Sequence, residues 1–159
     1  MNKWKAILTK AGVRLRKGAT TKAINAFETK TGLQLTDELK ESYRGCNGGL
    51  GKCAQLFPLD EAAGLLEALP ALPRLWGYFP VAGLESCDPC CVCCNAPLRG
   101  YVVQVFHDQN DAELKFRSFE RMLTDLLQLT AVSFDFPHEF DASHPLRTAS
   151  LDSHRPSWT

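Results

Sequence analysis

The sequence predicts an α+β fold: a mainly antiparallel sheet with N-terminal helices and a C-terminal helix packed on it. Three observations carry this. Apolar residues recur at helical spacing in the first third, as in Leu35, Leu39, Tyr43 and Cys46. From Trp76 to Arg117 the chain turns to short β-rich runs separated by Asp-Pro, Asn-Ala-Pro and Gln-Asn-Asp turns, which suits antiparallel pairing. A strong helical period then returns from Phe119 to Thr130. A sheet of about four to six strands is expected, the usual size range.

The elements follow in order. Residues 2 to 10 form a short helix through Trp4, Ile7 and Leu8, and Thr20 or Thr21 caps a second that buries Ala23, Ile24 and Phe27. The third helix starts at Thr36, a good N-cap, with Asp37 and Glu38 in its first turn, where carboxylates meet unpaired N–H groups. Asn47, Gly48 and Gly49 tolerate positive φ, so the chain is expected to leave this helix through a left-handed cap. Lys52 to Leu59 reads as a strand, followed by a helix through Ala62, Leu65, Leu66 and Leu69 that Pro70 and Pro73 terminate. Trp76 to Leu84, Cys90 to Cys94, Gly100 to His107 and Glu113 to Arg117 are the remaining strands. Phe119, Met122, Leu123, Leu126, Leu127 and Thr130 line one face of the last helix behind Ser118 as N-cap. Its burial is worth roughly 1.5 to 3 kcal/mol per large side chain, so the domain should not survive its deletion. Residues 1–132 are read as one domain and 133–159 as an irregular tail, which Phe134, Phe136, Phe140 and Trp158 could dock.

Composition narrows the function classes. The 159 residues suit one domain. With 18 basic and 18 acidic residues the formal charge is zero, which argues against general nucleic-acid binding, since that affinity comes from Lys and Arg at phosphates. The charge is uneven: positions 3 to 44 carry Lys3, Lys5, Lys10, Arg14, Arg16, Lys17, Lys22, Lys30, Lys40 and Arg44 against Glu28, Asp37, Glu38 and Glu41. Such a face could meet an acidic partner, although solvated lysines on helix surfaces are the ordinary account. No segment approaches the roughly 20 apolar residues that span a bilayer, and no signal-peptide core is present, so a cytoplasmic protein without membrane contact is expected. Seven cysteines, five of them between Cys87 and Cys94, form a poor disulfide framework and fit reduced thiols.

The helix running into Asn47-Gly48-Gly49, with Phe27-Glu28 and Gly32 upstream, resembles the signature of the SUKH superfamily, named for the Smi/Knr cell-wall assembly regulators. Phe57-Pro58-Leu59, Trp76-Gly77, Phe79-Pro80-Val81-Ala82, Asp88-Pro89 and the run Gly100 to Asp108 follow in that family's order. The resemblance covers roughly residues 20 to 130; Thr36 departs from the proline many members carry at the helix start, and both residues suit that position. It implies a binding domain without catalysis or cofactor. Bacterial members look like immunity proteins that neutralise a cognate toxin, often a nuclease, by occluding its active site, and eukaryotic relatives act as scaffolds. The neutral charge with a basic N-terminal third does not itself indicate a nuclease partner.

Two constellations could carry other chemistry. Cys87-Asp-Pro-Cys90-Cys91-Val-Cys93-Cys94 offers a Cys-x-x-Cys pair that Cys46 or Cys53 could complete for zinc, or thiols for redox work. In a strand, however, Cys91 and Cys93 face one side and Cys90 and Cys94 the other, so they do not converge on one ion; buried cysteine also packs as a small apolar side chain. A Cys plus His hydrolase could use His107 as base and a clustered thiol as nucleophile, but nothing marks one thiol as activated. As a turn pair, His107-Asp108 needs no chemistry, and the resemblance places a similar pair at this strand end. No catalytic or metal residue is therefore assigned. The partner-surface candidates are Tyr43, Asn47, Trp76 and Tyr78, with core packing as the alternative for the Trp76 to Tyr78 aromatics. The expected function is binding of a cognate toxin or other protein; the alternatives are a zinc or thiol protein built on Cys87 to Cys94, or a general interaction scaffold.

Overall fold

Helix α1, Lys3–Lys10, begins where the Asn2 side chain accepts hydrogen bonds from the N–H groups of Trp4 (2.9 Å) and Lys5 (3.3 Å). Its Trp4 and Leu8, one turn apart, are fully buried. The computed structural model describes residues 2–68, 77–84, 88–96, 98–106, 111–126 and 148–150. Gly12, at φ +72°, turns the chain into β1, Arg14–Leu15. Helix α2, Thr21–Thr31, is capped by Thr20 and closed by Gly32 in the left-handed region. It buries Ile24 and Phe27 as expected, but Ala23 is exposed and Glu28 takes the inward position. The Glu28 carboxylate is satisfied there by the Leu35 N–H (2.8 Å) and the Lys40 ammonium (2.9 Å).

Helix α3, Asp37–Gly45, has Thr36 as its N-cap, and Leu39, Ser42 and Tyr43 face the core. Its exit differs from expectation. Cys46 follows in an extended conformation, and positive φ is delayed to Gly48 (+82°), so no left-handed cap closes the helix. The residues after it are drawn instead into β2, Gly49–Leu50, which pairs back on β1. A tight turn closed by Gly51 N–H to Ala54 O leads to β3, Gln55–Leu56, shorter than the strand read from sequence. Helix α4, Leu59–Ala68, follows; Leu69 lies outside the described residues.

The central strands are β4, Tyr78–Gly83, β5, Cys90–Cys93, β6, Val102–Phe106, and β7, Asp111–Phe116. Helix α5, Phe119–Leu126, has Ser118 Oγ accepting from Arg121 N–H at 3.1 Å; Leu127 and Thr130 lie outside the described residues. Within the segment read as an irregular tail, Thr148–Ser150 forms β8 on the edge of β7. The eight described strands run in chain order, every pair antiparallel, more than the four to six expected because β1, β2 and β8 had no signal of their own. A bulge between Pro80 and Ala82 sits where proline cannot donate to the ladder, and Val81 O turns to the Phe57 N–H (2.9 Å).

The main core lies between the helices and one face of the sheet. Phe79 is its centre, with Phe27 and Tyr43 packed edge-on at 5.3 and 5.5 Å, while Trp4 meets Phe119 at 5.5 Å. A second apolar cluster, including Tyr78, Cys91, Cys93, Val103 and Leu114, lies on the opposite face of the sheet.

Candidate functional site

Two of the four candidate surface residues point inward. Tyr43 is 4% exposed and donates its hydroxyl to Phe57 O at 2.7 Å; burial pushes its pKa well above the usual phenol value. Tyr78 is 2% exposed in the second cluster, and burial raises its pKa also. Asn47 is half-buried, and its Oδ1 accepts the Leu59 N–H at 2.9 Å, so it caps α4 from across the fold. Trp76 lies outside the described residues.

Three neighbours in the helix-exit signature therefore act on one segment. Tyr43 holds the Phe57 carbonyl and Asn47 holds the Leu59 amide. Gly48 lets the same segment come close: a Cβ there would lie 2.7 Å from both Leu56 O and Pro58 N. Tyr43 and Asn47 thus fasten α3 to the β3–α4 junction. An aromatic and an amide suit an interface and a buried clamp equally well, so residue type alone could not separate the two.

The cysteines sort as the strand alternation requires. Cys90 and Cys94 join the helix-side core, Cys91 and Cys93 the opposite cluster. All four are buried, and none is in a disulfide. Burial pushes the Cys91 and Cys93 thiols well above their usual range. Burial raises Cys94 to about 12, against the opposing pull of Arg99. That guanidinium is engaged by backbone carbonyls of Gln34 (3.1 Å), Leu35 (3.2 Å) and Cys94. A thiol held neutral is a poor nucleophile and a poor metal ligand. Among the described residues no three His, Cys, Asp or Glu side chains are grouped to hold a metal ion. Cys87 and the His107-Asp108 pair lie outside the described residues.

The surface that does carry unusual chemistry is on β1–β3. Antiparallel register sets Arg14 opposite Leu50 and Leu50 opposite Gln55, so the three side chains form one row across the sheet. Leu50 is 50% exposed, the one exposed large hydrophobic side chain among the described residues. A hollow of about 420 Å³ beside it is lined by Arg14, Arg16, Gly49, Leu50, Gln55 and Leu56. A second, of about 300 Å³, is lined by Leu50 together with Lys52, Cys53, Gln55 and Leu84. Sequence analysis missed this row because two-residue strands leave no periodicity; the N-terminal excess of basic residues was the only signal.

Among the described residues no helix is long and apolar enough to cross a membrane. No curated protein matches the chain. The SMI1/KNR4 family model (SUKH-1) matches residues 18–125, which takes in α2 through nearly all of α5 and includes the helix-exit clamp. The chain belongs to the SMI1/KNR4 (SUKH-1) family.

Proposed function

We propose that this chain is a non-catalytic, cytoplasmic binding domain that acts as an immunity protein, neutralising a cognate toxin by covering its active site. Family membership over residues 18–125 is the observation that carries the reading. The cysteine arrangement adds to it, because thiols split between two buried clusters serve packing and offer no reactive group to a substrate. The clamp residues contribute indirectly: they tie α3 to the β3–α4 junction, and a surface held in place before binding loses less entropy when a partner docks.

The test is a tagged full-length chain in lysate of its own cells, with bound proteins identified by mass spectrometry against a tag-only control. One stoichiometric partner bearing a toxin domain is expected, and co-expression of this chain should restore growth to cells making that toxin. Several substoichiometric partners with no growth rescue would replace the immunity reading with that of a general scaffold.

A further inference from the structure

We propose that the outer face of β1–β3 binds an acidic protein segment, with Arg14 and Arg16 taking its carboxylates and Leu50 seating an apolar side chain beside them. The proposal rests on the protein-binding reading above and adds the place and the partner's chemistry. Arg14 on β1 and Arg16 just beyond its end line the same hollow. Arg16 is held there by its N–H bond to Gly48 O at 3.1 Å. Both arginines are exposed, and among the described residues neither has an ion-pair partner. Three other cations of the N-terminal third are already paired, Lys3 with Glu120, Lys30 with Glu67 and Lys40 with Glu28, and what singles out Arg14 and Arg16 is their place beside the exposed Leu50. The acidic residue closest to the row in the bonding network, Glu61, accepts both hydrogen bonds of the Gln55 amide, at 3.0 and 2.8 Å.

Two arginines therefore stand beside an exposed leucine that lines two hollows. Guanidinium pairs bidentately with carboxylate, and desolvated apolar anchors ringed by polar groups are what protein interfaces use. A nucleic-acid backbone would answer the arginines but leave Leu50 exposed, and the chain's zero net charge lacks the long-range attraction such binding needs. Arg14 and Arg16 also precede the family-matched residues 18–125, so half of this surface is supplied by the chain's own N-terminal extension.

The experiment uses the full chain and a fluorescent peptide of Asp, Glu and Gly with one central Leu, read by anisotropy at low salt and by amide chemical shifts. Binding is expected, with shifts at residues 14–16 and 49–55. Arg14→Glu combined with Arg16→Glu should weaken it about tenfold or more, and Leu50→Ser should weaken it separately, since both sites are exposed and the urea midpoint should hold. The proposal is overturned if the peptide does not bind, if neither variant weakens binding, or if single-stranded DNA of equal charge binds as well. If a captured toxin binds the double-arginine variant at full strength, this face is wrong while the binding-domain reading stands. If the peptide binds at this face but no toxin is captured, the immunity reading fails and the surface remains.

Discussion

Tyr43, Asn47 and Gly48 give a graded test of the clamp between α3 and α4. Tyr43→Phe keeps the ring against Phe79 but leaves the buried Phe57 carbonyl without its donor, a loss of about 1–3 kcal/mol. Asn47→Ala removes the cap on the Leu59 N–H and should cost about 1 kcal/mol. Gly48→Ala should be the worst of the three, since positive φ costs about 1 kcal/mol in itself and the added methyl meets backbone atoms that cannot step aside. Gly100→Ala is the control: its φ is +91°, but nothing lies within 4 Å of the added carbon. Urea unfolding of the four variants should rank Gly48→Ala as the least stable, clearly below Gly100→Ala. Equal losses at Gly48 and Gly100 would mean that close packing at the helix exit contributes nothing.

At the level of elements, α1 sits outside the family-matched span and yet belongs to the core. Trp4 packs on Phe119, and the Lys3 ammonium pairs with Glu120 on the same helix at 3.0 Å. The start of α5 is held from α3 as well, where Glu38 Oε1 accepts the Glu120 N–H at 3.3 Å. The exposed Lys3–Glu120 pair contributes little, so the joint depends on Trp4. Trp4→Ala should cost about 3–5 kcal/mol, whereas Lys3→Ala should stay within about 0.5 kcal/mol. Met122→Ala on α5, also fully buried, should cost about 2–5 kcal/mol. Chemical denaturation distinguishes these outcomes, and a stable Trp4→Ala protein would show that the domain ends where the family match does.

Over the whole molecule, pH should act through buried neutral groups. The thiols of Cys46, Cys91, Cys93 and Cys94 and the Tyr43 hydroxyl all have raised pKa values, so the unfolded chain gives up these protons first. Their contribution is complete below the ordinary thiol value near 9.0 and is lost as pH rises toward the Cys94 value of about 12. The urea midpoint should therefore hold below about pH 8 and drop between about pH 9 and about pH 12, less steeply once Cys91 and Cys93 are alanines. A midpoint that stays level across that interval would show that these thiols ionise as readily in the fold as outside it. The same burial explains what could be read from sequence. Helices were legible because caps and a 3.6-residue period are local, as Thr20, Thr36 and Ser118 illustrate. Strands β1, β2 and β8 were not, because two or three residues carry no period and exist only through their partners. The Leu50 row was hidden for the same reason, while Tyr43 and Tyr78 misled because aromatic side chains serve cores and interfaces alike. The strand order has one more consequence. Among the described residues, four neighbouring pairs in the sheet have no helix between them, whereas β3 reaches β4 past α4, β7 reaches β8 past α5, and β1 reaches β2 only after two helices, α2 and α3. That pairing closes a long loop with only two pairs of residues, so it should form late in folding and open early in the native state. Amide protons of Arg14 to Arg16 should exchange with deuterium well before those of β5 and β6, and a partner seated across Leu50 would hold that door shut.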